Sequence, residues 1–157
     1  MKEDVKTYVL MLSSVFPAGH PRAGEPTRFK DNLLVSKLHT IRSNADFWEH
    51  RVREINAGRG VLSVRQWSGS PFEPGSHQIE IARFTKLGFQ RVRFHYYDKR
   101  RLWQVYVPYG DYEKRVLIER VAKKDGLDCD DFESWFGLDS RVEDYRGCIL
   151  HFTDMRY

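Results

Sequence analysis

The sequence predicts one α+β domain over residues 1–157, a small mixed β-barrel of five or six short strands with flanking and inserted helices. Short apolar segments with strand-like alternation are dispersed along the chain, and helical spacing occurs in two regions between them. A chain of 157 residues is long enough for a core without metal or disulfide cross-links. The dispersed strands argue against a doubly wound parallel sheet.

The N-terminal third predicts one strand, one long loop and two helices. Segment 5–16 is rich in β-forming residues, whereas the three prolines and two glycines of 17–26 exclude regular structure. Helices are expected at 27–35 and 45–57, the second with Asn44 as its N-cap. Its inward stripe is expected to contain Phe47, Trp48, Val52 and Ile55.

The rest of the chain predicts further strands and two helices. The expected strands are 61–67, 79–84, 89–97, 102–107 and 148–152. A helix is predicted over 112–124, and Asp128 is expected to cap a shorter one with Asp131 at its third position. In the 89–97 strand, Arg91, Arg93 and His95 alternate with Val92, Phe94 and Tyr96. The sequence therefore predicts a basic stripe on one face of that strand.

Composition excludes several classes of protein. No apolar run approaches the roughly 18 residues of a membrane span, and the first residues lack the apolar core of a secretory signal. Cys129 and Cys148 are expected to be free thiols, although a disulfide between them stays open. We therefore expect a cytoplasmic protein that does not bind membranes.

Positive charge is concentrated in the first two thirds of the chain. Residues 20–101 contain 16 Lys and Arg against 8 Asp and Glu, whereas residues 111–144 contain 6 against 11. Arginine outnumbers lysine by 17 to 9, which favours forked contacts to phosphates or base edges. This distribution is compatible with nucleic-acid binding, but a solvated protein surface has a similar composition.

The segment 37–42, Lys-Leu-His-Thr-Ile-Arg, has the densest chemistry in the sequence. In a strand that begins near His39, Thr40 and Arg42 would face one side, and Lys37 would approach the same side from the preceding turn. A hydroxyl beside an amine and a guanidinium can bind an anion or a base edge, or act as a nucleophile. The alternative is an edge strand with solvated charges. His39 has the opposite parity to Thr40, so we expect it to be a packed side chain rather than a catalytic base.

No motif in the chain indicates a cofactor. The six histidines do not have metal-ligand spacing, and neither a phosphate-binding loop nor a serine-nucleophile elbow is present. We expect no metal and no cofactor.

The lysine, threonine and arginine of segment 37–42 resemble the Lys-x-x-Thr-x-Arg signature of ASCH domains, members of the PUA-like superfamily. Segments 121–127 and 132–136 resemble the acidic-Gly-Leu turn and the aromatic-ended helix that these domains carry late in the chain. Segments 22–27 and 65–69 are similar to a bacterial subgroup of ASCH-like proteins. The resemblance covers roughly residues 5–152.

The resemblance implies a small β-barrel that binds RNA or modified nucleobases in a cleft beside segment 37–42. One ASCH member is an amidohydrolase that deacetylates N4-acetylcytidine, and other members are reported to cleave RNA. Carried over to this sequence, Thr40 would be the nucleophile, Lys37 its activator and Asp125 the acid/base, with Arg42 holding the substrate. The amidohydrolase has a glutamate where this chain has Asp125, and this chain is also longer, with the additional 45–57 helix and 17–26 loop. These insertions would either roof the cleft or extend a binding surface.

Two functions from different classes follow, and we rank binding first because it requires only surface chemistry. The binding hypothesis expects RNA, a nucleotide or a modified nucleobase as ligand, and its contact residues are Lys37, Arg42, Arg65, Trp67, Arg91 and Arg93. Trp67 borders a Ser/Gly/Pro turn where a half-exposed ring can stack on a base. The second hypothesis is an amidohydrolase or a ribonuclease that uses Lys37, Thr40 and Asp125. A third possibility is an interaction module whose acidic part, 111–144, binds a basic partner. The sequence leaves the oligomeric state open.

Overall fold

The computed structural model describes residues 4–98, 100, 102–141 and 143–157, and over these ranges the fold is α+β with eight strands and four helices. Along the chain the elements are β1 Lys6–Met11, α1 Phe29–Asn32, β2 His39–Arg42, α2 Ala45–Asn56, β3 Gly60–Trp67, β4 Gln78–Phe84, β5 Gly88–Tyr97, β6 Leu102–Tyr109, β7 Tyr112–Val116, α3 Ile118–Lys124, α4 Cys129–Trp135 and β8 Tyr145–His151. No helix in these ranges has the length and apolar character that crossing a membrane requires.

The strands form two sheets. The smaller has the order β1-β3-β4, in which β1 and β3 are parallel and β4 is antiparallel to β3. The larger has the order β2-β8-β5-β6-β7, and all its neighbouring strands are antiparallel. The α+β class is therefore confirmed, whereas the closed barrel is not, because the described strands form two separate sheets.

The predicted helix over 112–124 is wrong in its first half. Residues Tyr112–Val116 form β7, an edge strand that pairs with β6, and only Ile118–Lys124 is helical. Gly110 and Asp111 form the turn between the two strands, and Tyr109 lies opposite Tyr112. Gly110 has a φ of 59°, a conformation that suits glycine in a two-residue hairpin turn.

Helices occur in the predicted 27–35 and 45–57 regions, but with different bounds. The 27–35 helix is limited to Phe29–Asn32, and Leu34, within the predicted span, is exposed with a φ of 64°. The 45–57 helix is observed as Ala45–Asn56 with Asn44 at the N-cap position, but the Asn44 side chain makes no capping bond. Phe47 was expected in the core and is instead half exposed.

The core lies between the sheets and the helices and follows the alternation of the strands. In β5, Val92 and Phe94 are buried. On the opposite face, the Arg93 and His95 side chains interact with acidic residues, as described below. Asp128 caps α4 as predicted, because its Oδ1 accepts a bond of 2.8 Å from the Asp131 backbone N–H.

Candidate functional site

A cavity of about 300 Å³, which we call the base cavity, opens between the two sheets. The end of β1 at Met11, Thr40 and Arg42 of β2, the last β3 residue Trp67, and Trp135 of α4 line it. Because β1 and β3 belong to one sheet and β2 to the other, residues of both sheets form the cavity wall. Its remaining wall contains Phe29, Lys37 and Asp125. The structure thus brings Lys37, Thr40, Arg42, Trp67 and Asp125 to one site.

Lys37 is only 1% exposed, which is rare for a lysine. Its Nζ donates to the backbone O of Asp125 at 2.9 Å and lies 3.4 Å from the carboxylate Oδ1 of the same residue. The ammonium also lies 4.1 Å from the centre of the Phe29 ring, a cation–π contact. Burial lowers the pKa of Lys37, and the charge of Asp125 opposes that shift. Loss of the proton is therefore easier here than for a lysine in water.

Asp125 approaches Lys37 because the end of α3 pairs with the segment before β2. Lys37 and Asp125 form an isolated β-bridge, and the backbone N–H of Leu38 donates to Lys124 O at 2.7 Å. Gly126 follows with a φ of 84°, and a Cβ at this position would lie 3.1 Å from the Cβ of Lys37. A glycine therefore fits this site both by its conformation and by the close approach of Lys37.

Two buried side chains behind Lys37 complete a polar chain that the sequence did not reveal. His39 Nδ1 lies 3.3 Å from Asp125 Oδ1, and His39 Nε2 lies 2.7 Å from the hydroxyl of Tyr157. Burial, reinforced by the charge of Asp125, raises the pKa of Tyr157. His39 is packed, as its strand parity predicted, but it also holds the carboxylate that contacts Lys37. Tyr157 lies 118 positions from His39, so no local pattern could have indicated their contact.

Arg42 connects the two sheets and leaves one donor unused. Its Nη2 donates to the backbone O of Met11 at 2.7 Å, which joins β2 to β1. Its Nε is buried and makes no hydrogen bond with any group in the described ranges. Burial lowers the pKa of Arg42. A Cβ on Gly147 of β8 would lie 2.4 Å from the Arg42 carbonyl oxygen, so the backbone at Arg42 depends on a glycine in the neighbouring strand.

Thr40 lines the same cavity and is 5% exposed. Within the part of the chain that the structure describes, its hydroxyl has no hydrogen-bond partner, and Lys37 Nζ bonds to Asp125 instead. The hydroxyl is therefore available to a ligand.

Aromatic rings form much of the remaining wall. Trp135 packs on Phe29 with ring centres 5.6 Å apart, and Phe136 follows it in the chain. Both residues border the cavity while they remain partly buried. Trp67 is partly exposed, in line with the half-exposed ring that its Ser/Gly/Pro neighbourhood suggests.

Three arginines predicted to bind nucleic acid lie outside the base cavity. Arg65 donates from Nε to Ser63 Oγ at 2.9 Å and from Nη1 to Gln78. Arg91 binds two carboxylates of α2, Asp46 at 2.6 Å and Glu49 at 3.1 Å.

The third of these arginines is the most firmly paired. Arg93 makes two bonds to Glu113 and one of 2.9 Å to Asp144, and these bonds raise its pKa. Asp144 also lies 2.7 Å from His95 Nδ1. The basic stripe of β5 is thus largely neutralised by acidic neighbours, and it does not extend the charge of the cavity.

The two insertions differ in their relation to the site. The 17–26 loop is tied to α4, because Arg22 forms an ion pair with Asp131, and His20 Nε2 lies 3.0 Å from the Asp131 carbonyl oxygen. Its first residues line a groove beside the base cavity. The α2 helix contributes no residue to the cavity wall among the described positions.

No group of three His, Cys, Asp or Glu side chains in the described ranges is placed to hold a metal ion. Comparison of the chain with protein-family models, with curated proteins and with solved structures gives no match.

Proposed function

We propose that this protein binds a nucleobase or nucleoside, modified forms included, in the base cavity. A volume of about 300 Å³ lies at the lower end of the roughly 300–1,000 Å³ usual for small-molecule sites. This size favours a single base over an RNA strand. The pairing of Arg91 and Arg93 with carboxylates also favours a small ligand, since the free positive surface that would follow an RNA backbone is reduced.

The buried Nε of Arg42 is the observation that carries the proposal. A buried donor without a partner costs about 1–3 kcal/mol. Because Arg42 lines the cavity, a small shift of its guanidinium on binding would bring Nε to an acceptor of the ligand and remove this cost. The carbonyl oxygens and ring nitrogens of nucleobases are such acceptors. The free hydroxyl of Thr40 offers a second contact that can donate or accept. Together these groups suit the polar edge of a base.

The aromatic wall suits the face of the same base. Stacking of a base on an aromatic side chain contributes roughly 1–3 kcal/mol and tolerates different bases. Trp67, Trp135 and Phe136 supply such rings around the cavity. Polar contacts at one edge and rings along the walls therefore fit a flat heterocycle with hydrogen-bonding groups on its rim.

We test the proposal by isothermal titration of the protein with the four RNA bases and their ribosides. Arg42→Lys keeps a positive charge but removes the Nε donor, and we expect it to weaken binding about tenfold, equivalent to about 1.4 kcal/mol. Arg91→Lys is the matched control, since Arg91 lies outside the cavity, and it should leave the affinity unchanged. Absence of binding by every base and riboside, or equal binding by wild type and Arg42→Lys, would refute the proposal.

We also propose that the chain is an ASCH domain of the PUA-like superfamily, and the geometry of this site supports that proposal. Two of the segments that carry the resemblance, 37–42 and 121–127, contact each other, because Lys37 pairs with Asp125 and lies against the Gly126 turn. We propose with it that the two sheets together form an ASCH-type barrel.

Amide hydrolysis on an N4-acylated cytidine is the second candidate function. It is favoured by the lowered pKa of Lys37 and by the unbonded hydroxyl of Thr40 in the same cavity. Thr40 Oγ1 would attack the acyl carbon as Lys37 takes its proton, the base nitrogen would leave with a proton, and water would release the acyl group. Asp125, bonded to Lys37, would assist the proton transfers.

Chromatographic detection of cytidine after incubation with N4-acetylcytidine tests this candidate. Thr40→Ala should abolish turnover and Thr40→Ser should retain part of it, with folding of both variants checked by circular dichroism. A wild-type protein that binds the nucleoside but leaves its amide intact would support binding alone.

A further inference from the structure

A second groove of about 610 Å³ adjoins the base cavity. Residues 12–18 form one side of it and residues 67–71 the other. Leu12, Ser13, Trp67 and Pro71 line both spaces, so the groove and the base cavity share a wall. A ligand with its ring in the cavity would reach the groove by passing Trp67.

The chemistry of the groove differs from that of the base cavity. The cavity is lined by Lys37, Arg42 and Asp125, whereas no charged side chain is among the described residues that line the groove. Apart from Trp67 with its indole N–H, its polar side chains are those of Ser13, Ser14, Ser68 and Ser70. Of these, Ser14 and Ser70 make no side-chain hydrogen bond with the described part of the chain. The groove thus offers free hydroxyls on a neutral surface.

The cation beside the groove is already engaged. The Arg22 guanidinium lies 4.6 Å from the ring of Phe16, a groove residue, but it is bonded to Glu25 at 3.0 Å and to Asp131. A phosphate placed in the groove would therefore gain no free positive partner from Arg22. A neutral group with hydroxyls needs no positive partner, and serine hydroxyls can donate hydrogen bonds to it and accept them from it.

The turn that follows Trp67 has an unusual conformation. Phe72 has a φ of 62°, which is unfavourable for a bulky side chain, and it is 89% exposed. Its ring lies against Trp67 with centres 5.0 Å apart. Backbone strain of this kind persists where the surrounding structure supports it and is frequent at ligand sites. Here it places a second ring against Trp67, which lines both spaces.

We propose that the groove holds the ribose of the ligand, so that the protein binds a nucleoside in preference to the free base or the 5′-monophosphate. This inference rests on the proposed function, because it places the base of the same ligand in the base cavity. The neutral groove recognises the sugar hydroxyls, and it discriminates against a phosphate because that charge would be desolvated without a counter-ion.

Titration calorimetry with matched ligands tests the preference. For the base that binds best in the panel, we expect its riboside to bind at least about tenfold more tightly, equivalent to about 1.4 kcal/mol, and its 5′-monophosphate to bind more weakly than the riboside. Equal affinity for base and riboside, or tighter binding of the monophosphate, would overturn the inference. In either case the proposed function would stand, because the base would still bind.

A pair of variants in one loop separates the groove from the cavity. Ala18→Trp fills the groove, whereas Ala23→Trp adds the same side chain at an exposed loop position that does not line it. We expect Ala18→Trp to remove the advantage of the riboside and leave the affinity for the base unchanged, and Ala23→Trp to change neither. A riboside advantage that survives in Ala18→Trp would refute the placement of the ribose. Absence of binding by all bases, ribosides and monophosphates would remove the proposed function and this inference together.

Discussion

Replacement of Lys37 by methionine tests how the buried site is held together. Methionine has nearly the length of lysine and no charge, so the change removes the ammonium with little loss of packing. It leaves the Asp125 carboxylate, 4% exposed, without its bond of 3.4 Å from Lys37 Nζ, and it also removes the bond of 2.9 Å from Nζ to the Asp125 backbone O. Removal of one partner of a buried ion pair typically costs about 3–5 kcal/mol. We expect a loss of free energy of unfolding in this range.

A double-mutant cycle separates the charge from the packing. Asp125→Asn removes the carboxylate charge, so in the double variant neither an unpaired ammonium nor an unpaired carboxylate stays buried. We therefore expect the double variant to lose less stability than the sum of the single losses, with a coupling energy of at least about 1 kcal/mol.

Urea unfolding at pH 7 of the wild type, both single variants and the double variant measures this coupling. The exposed ion pair of Lys86 and Asp154, at 3.8 Å, provides the matched control, and its cycle should give a coupling near zero. If the Lys37 and Asp125 losses simply add, as in the control, the buried pair does not act as a unit and our description of the site is wrong.

Three further predictions concern residues around the site. Burial lowers the pKa of His151 to about 3, so its contribution to stability is complete above about pH 6.5 and is lost as the pH falls from 6.5 towards 3. In urea titrations at several pH values, His151→Leu should reduce this dependence of the unfolding free energy on pH, and exposed His77→Leu should not. Gly147→Ala places a Cβ 2.4 Å from the Arg42 carbonyl oxygen. It should therefore lower the free energy of unfolding by about 1–3 kcal/mol and weaken binding of the base. An unchanged affinity in calorimetry would contradict the proposed contact of Arg42 with the base. Phe72→Ala removes an 89% exposed ring and should keep the melting temperature while it weakens riboside binding; unchanged affinity would show that the ring does not support Trp67.

The sequence was sufficient for the elements whose pattern is local. The 89–97 alternation, the Asp128 cap and the 39–42 strand are each decided by residues close in the chain, and the structure has all three. The error at 112–116 has a local cause as well. Val116 and the apolar residues after it gave a helical spacing, and this outweighed the Tyr-Gly-Asp-Tyr hairpin signal at 109–112.

The site was only partly accessible to sequence reasoning. Only the family resemblance predicted that Lys37 and Asp125 share a site, because 88 positions separate them and no local sequence pattern links them. The bond from Arg42 to Met11 and the contact of His39 with Tyr157 depend on how the sheets and the C-terminal residues pack. The pairing of Arg91 and Arg93 with carboxylates was likewise invisible, because those partners lie 20 to 51 positions away.

Direct observation of the Arg42 side chain tests the proposed function most closely. In a ¹H–¹⁵N NMR spectrum, the Arg42 Nε–H resonance is identified by its loss in Arg42→Lys, and the protein is then titrated with the riboside that binds best. We expect this resonance to shift and its exchange with water to slow on saturation, because the ligand supplies the acceptor that Nε lacks, whereas the Arg91 resonance stays in place. A riboside that saturates the protein without moving the Arg42 Nε–H resonance would contradict the proposal.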